Sequence, residues 1–161
     1  MPKARSLRDT PSAPQNQRTL PALARTVLAV GTDDWAIEQS AAALEVAGHT
    51  VHRCHEPGEE TFPCNAFRPG RGCPLDAGVD AVVTSRARPM DIPAAGETGV
   101  TCGLRAGLPL IVNGISRHSP FNDLAVSIVG EQGDLVEAVE AVTREPDVIT
   151  LPATPAPRST S

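Results

Sequence analysis

The chain predicts a doubly wound α/β domain built on one five-stranded parallel sheet. Three observations lead there. Short, nearly continuous runs of Val, Ile, Leu and Ala recur along the chain, as in strands buried on both faces. Segments of helical period separate several of them. Most of the runs end at a glycine or a polar cluster, where a strand gives way to a loop.

The first run, "RTVLAVG" (25–31), is a buried strand ending in glycine. "DDWAIEQSAAALEVAG" (33–48) follows as a helix. Ile37, Ala41 and Leu44 share one face, Asp33 and Asp34 suit its N-terminus, and Gly48 suits the left-handed position after its end. "HTVHRCH" (49–55) is the second strand, which completes a right-handed βαβ start. "VDAVVTS" (79–85) is the third. A Pro-containing loop (87–96) leads to a helix over 97–107, and "LPLIVNG" (108–114) is the fourth strand. "DLAVSIVG" (123–130) is the fifth. The last helix covers 133–144, with Asp134 and Glu137 at capping-box spacing and Leu135, Ala138, Val139 and Val142 as its apolar stripe. Five such strands imply the order 2-1-3-4-5, the flavodoxin-like form of the fold.

The ends have a different character. Half of the 16 prolines fall in residues 1–25 and 145–161, among Ser, Thr, Ala and Arg. Residues 1–24 and 146–161 are therefore expected to be disordered tails around a domain at 25–145. Lys3, Arg5, Arg8, Arg18 and Arg25 face only Asp9 at the N-terminus, whereas the whole chain carries −5. Nucleic acid is expected as a partner only through this basic arm. Neither a signal peptide nor a membrane-spanning run is evident, so a cytoplasmic location with reduced thiols is expected.

In doubly wound folds ligands bind beyond the carboxyl ends of the strands. That edge should collect Gly31, Thr32, Asp33 and Asp34 from strand one. Thr84, Ser85, Arg86 and Arg88 come from strand three, and Asn113, Ser116, Arg117 and His118 from strand four. Asp33, Asp34, Ser85, Arg86, Arg88 and Asn113 are the candidate ligand-binding residues. The arginines suit a small anionic ligand, because guanidinium forks and backbone N–H groups favour phosphate or carboxylate. No dinucleotide or P-loop glycine motif is present.

"RTVLAVGTDDW" and "VDAVVTSRARP" together resemble the receiver domain of two-component response regulators. That family places an acidic pair after strand one and a phosphorylated Asp at the end of strand three, with a Pro four residues on. Asp80 to Pro89 matches the spacing of the strand-three motif, which puts Ser85 at the phosphoacceptor position. A serine cannot form the acyl phosphate. The acidic pair sits about two residues late, and the strand-five lysine has no counterpart, since Lys3 is the chain's only lysine. The resemblance therefore implies a receiver-like domain without aspartyl phosphorelay, a pseudo-receiver that works through a protein partner. Domains of that family often pair through the faces near their last helix and strand, so the resemblance makes a homodimer one option and leaves the oligomeric state open.

Between strands two and three lies "RCHEPGEETFPCNAFRPGRGCPLD" (53–76), irregular and carrying three of the four cysteines. A loop this long (55–77) is usually functional or disordered. Phe62, Phe67 and Leu75 are expected to anchor it to the body. Cys54, His55, Cys64 and Cys73 are the candidate metal or redox residues, with zinc or an iron–sulfur cluster as candidate cofactors, although the tight Cys-x₂₋₄-Cys pair of zinc sites is missing. A Cys64–Cys73 disulfide is an alternative, with Arg68 and Arg71 between the two thiols favouring thiolate. So is the inert, buried thiol. Cys102 has no evident connection to the loop. Cys54 and His55, adjacent on a strand, point to opposite faces, which disfavours thiol-nucleophile catalysis.

The sequence thus points to a non-catalytic, phosphorylation-independent regulatory module that senses redox state or metal through its cysteine loop. The alternative is a protein that binds an anionic metabolite or nucleotide, or a small enzyme, working at the carboxyl edge.

Overall fold

The computed structural model describes residues 23–114, 119–130 and 133–144. Both expected tails fall almost wholly outside that range, as do Ser116, Arg117 and His118. In chain order the elements are β1 (Thr26–Gly31), α1 (Asp34–Val46), β2 (Thr50–Arg53), β3 (Ala81–Arg86), α2 (Thr98–Arg105), β4 (Leu110–Gly114), β5 (Ser127–Val129) and α3 (Leu135–Thr143). The strands form one sheet in the order β2-β1-β3-β4-β5, parallel at every pairing. This is the flavodoxin-like form of the doubly wound α/β fold.

The pleat sorts the core into two layers. Val27, Val83 and Ile111 point to one face, where Leu44 of α1 and Leu135 and Val139 of α3 cover them. Leu28, Val30, Val82, Leu110 and Val112 point to the other, under Val100 of α2 and Phe121. Asp33 caps α1 by accepting from the Ala36 amide at 2.9 Å, and Gly48 takes a left-handed φ of +92° after its end. Asp134 caps α3 by accepting from the Glu137 amide. Asp80 accepts from the Thr26 amide at 2.7 Å, which ties the starts of β1 and β3 together at the edge opposite the expected site.

One element differs from the sequence expectation. β5 is confined to Ser127–Val129, because Asn122–Leu124 closes a 3₁₀ turn in which the Leu124 amide donates to the Phe121 carbonyl. The passage from β2 to β3 contains no α-helix. Residues 54–80 cover the α2 side of the sheet as irregular chain with two 3₁₀ turns, Asn65–Phe67 and Pro74–Ala77. The expected aromatic anchors of this crossover are corrected. Phe62 and Phe67 are 82% and 83% exposed, and Leu75 alone of the three packs against the core.

Candidate functional site

The carboxyl edge divides into two sites, and the pleat makes the division. Ser85 and Arg86 are neighbours on β3, so their side chains leave on opposite faces. Ser85 is buried on the α1 side, with its Oγ 2.6 Å from the Ser40 Oγ. Ser40 also donates to the Ala36 carbonyl, and the Asn113 side-chain amide donates to the Ser40 Oγ at 2.9 Å. These groups form the floor of a hollow of about 750 Å³, with Trp35, Gly133 and Asp134 on its walls. Trp35 is largely exposed there.

Arg86 turns to the α2 side. Its Nε donates to Glu97 Oε1 and its Nη2 to Glu97 Oε2, while Nη1 and Nη2 also reach the Met90 and Ile92 carbonyls. Both side chains of the pair are fully shielded from solvent. The Thr84 hydroxyl and the Ala94 amide complete the shell of Glu97. Arg86 is thus corrected as an anion ligand. Its charge is neutralised inside the protein, and its guanidinium lies across the sheet from Ser85 and Asn113. Arg88, two residues on, is exposed and lines neither hollow.

The second site lies beyond the ends of β1 and β2. Asp33, Asp34, Cys54 and His55 come together there with Glu59 and line a smaller hollow of about 240 Å³. The acidic pair already has protein partners. Asp33 accepts from the Thr32 hydroxyl as well as capping α1, and Asp34 accepts from the Gly58 amide at 2.8 Å. That last bond tethers the crossover to the start of α1.

Glu59 organises the crossover. It accepts from the Glu56 amide, from Asn65 and from Arg71, and these bonds with the nearby arginine charges hold its carboxyl below the ordinary value of 4.5. Arg68 donates to the Glu60 carbonyl. Both arginines between Cys64 and Cys73 therefore turn to residues 59–60. Burial and the Arg68 charge lower the pKa of His55, against a smaller opposing pull from Glu59.

All four cysteines are free thiols. Cys54 packs against the α2-side core, and its thiol is pushed up to about 12, first by burial and then by Cys64, Cys102 and Cys73. Among the described residues no three His, Cys, Asp or Glu side chains are grouped to hold a single metal ion. Sequence reasoning missed the contact of Cys54 with α2, where a Cβ at Gly99 would stand 2.9 Å from the Cys54 Sγ. It also missed Glu97, which reads along the chain as an ordinary helix-start acid.

No family model matches the sequence, and no curated protein matches it. In fold it is similar to the crystal structure of a chain from Chloroflexus aurantiacus J-10-fl provisionally described as a response regulator. The two are 21% identical, with 74% of this chain and 98% of that chain covered and a TM-score of 0.45. Among the described residues no helix is long and apolar enough to cross a membrane.

Proposed function

We propose that this chain is a non-catalytic regulatory module, independent of aspartyl phosphorylation, whose cysteine-bearing crossover responds to redox state or metal and relays that state to a protein partner. One observation carries the reading. Where a doubly wound fold would place a crossover helix, this chain places an irregular thiol-bearing segment fastened to the carboxyl edge by the Asp34–Gly58 bond. A change in the crossover would be felt at the edge. The position of Ser85, buried and bonded to Ser40, supports independence from phosphorylation.

Cys64→Ser and Cys73→Ser variants test the reading. Each should differ from wild type in bound metal or in the shift of melting temperature on adding oxidant. Variants indistinguishable from wild type in both respects would refute it.

The 750 Å³ hollow supports a second reading, a small-molecule binder using Ser85 and Asn113. With Asp134 on its wall and the Arg86 guanidinium paired elsewhere, it favours an uncharged polar ligand over the anion first expected. A metabolite panel in which none raises the melting temperature would dismiss it.

A further inference from the structure

We infer that the 750 Å³ hollow takes an uncharged, flat heterocycle with an amino group beside a ring nitrogen, the edge that a 6-aminopurine nucleoside presents, Trp35 stacking on its face and Asn113 reading its edge. The inference rests on the second reading above, of the hollow as a small-molecule site, and names the ligand class.

The protons on the floor fix what a ligand must present. Ser40 has one hydroxyl proton, and it goes at 3.0 Å to the Ala36 carbonyl, a group that can only accept. The 2.6 Å contact between the two serine oxygens is therefore carried by the proton of Ser85. The Asn113 side-chain amide fills the remaining lone pair of Ser40 Oγ at 2.9 Å. Ser40 is thus saturated, and Ser85 has no proton left for a ligand. Asn113 keeps its carbonyl oxygen as an acceptor and its second N–H as a donor. An acceptor and a donor side by side match an amino group next to a ring nitrogen, the pairing by which asparagine recognises adenine.

The walls set shape and charge. Trp35, Gln39 and Ala43 follow one another at four-residue spacing along α1 on one side, and Leu135 and Val136 line the hollow from α3. The indole of Trp35 is largely uncovered, and an aromatic face of this kind stacks on a nucleobase. An anion finds no counter-charge. Among the described residues Arg86 is the one basic residue along the hollow, and its guanidinium is closed on Glu97 across the sheet. A cation gains little either. Asp134 accepts from the Glu137 amide at the positive end of the α3 dipole, which offsets its charge. The volume lies within the range of about 300–1,000 Å³ usual for small-molecule sites.

The chain has one tryptophan and no tyrosine, so its fluorescence reports on this hollow directly. The test titrates the full chain, in reducing buffer, with adenosine, with purine riboside, which lacks the amino group, and with adenosine monophosphate. Adenosine should quench Trp35 saturably, and purine riboside should bind about 5- to 150-fold more weakly, the loss of one bidentate contact. The monophosphate should bind no more tightly than adenosine. By calorimetry, Asn113→Ala should bring adenosine down to the affinity of purine riboside, and Trp35→Ala should weaken it about 5- to 150-fold. Equal binding of adenosine and purine riboside to wild type would overturn the role of Asn113, and a tighter monophosphate would overturn the uncharged class. A different metabolite that raises the melting temperature, while adenosine leaves the Trp35 emission unchanged, would overturn the aminopurine class yet leave the hollow as a binding site. No rise in melting temperature with any metabolite, adenosine included, would overturn both.

Discussion

Arg86 and Glu97 form an ion pair with both side chains wholly withdrawn from solvent, linking the end of β3 to the turn that starts α2. Such a pair contributes little net stability while intact, but loss of one partner strands a buried charge. Glu97→Gln should therefore lower unfolding stability by about 3–5 kcal/mol, read as a lower urea midpoint. The double substitution Arg86→Met/Glu97→Leu should recover much of that loss. A Glu97→Gln protein as stable as wild type would show that the pair is not closed.

Gly99 is the contact point between α2 and the crossover. A Cβ there would stand 2.7 Å from a Val30 methyl and 2.9 Å from the Cys54 Sγ, in a part of the core with little room to adjust. Gly99→Ala should cost about 1–3 kcal/mol by overpacking, despite the better helix propensity of alanine. Thermal melts of the two proteins check this, and a stabilised variant would contradict the contact.

These two residues mark where sequence reasoning reached its limit. The strands were legible because runs such as "TVLAVG" and "AVVTSR" bury both faces, and apolar continuity is a local property. Helix α1 was legible from Asp33 at its start and Gly48 after its end. What could not be read was which polar groups meet across the sheet. The split of Ser85 from Arg86 follows from strand alternation once β3 is known to run through both. The partner of Arg86, however, lies eleven residues on in a turn with no signature. Phe62 and Phe67 misled, because hydrophobicity signals burial only when a neighbouring element offers a surface. The packing of α2 on Cys54 passes through Gly99, a glycine, which leaves no mark in an apolar pattern.

Acid should loosen the crossover through Glu59. Its carboxyl is held below 4.5 in the folded chain by the Glu56 amide, Asn65 and the Arg71 and Arg68 charges. A depressed carboxyl stabilises the fold above its unfolded pKa, and the contribution is lost as pH falls through 4.5 toward the folded value. Proteolysis within residues 56–73 should therefore rise below about pH 4.5. Glu59→Gln should show that susceptibility already at pH 7 and respond less to acid. A cleavage rate independent of pH in wild type would contradict this role.

Ser85 should not make the chain a phosphoacceptor. Incubation with an acyl phosphate should leave the intact mass unchanged, and a phosphoryl-mimicking beryllium fluoride should not shift the melting temperature. Ser40→Ala should cost about 1–3 kcal/mol, because it removes a partner of both Ser85 and Asn113. A stable mass gain of one phosphoryl group would contradict the proposed independence from phosphorylation.

The central claim is that the state of the crossover is transmitted to the carboxyl edge. Hydrogen–deuterium exchange of the full chain, purified without chelator and compared with the same sample after chelation and oxidation, tests it most directly. The account predicts faster exchange in 54–80, in the first turns of α2 and at the start of α1, where Asp34 holds Gly58. Protection in the central strands β1, β3 and β4 should stay unchanged. Identical exchange in both samples, or a change spread evenly over the sheet, would contradict it.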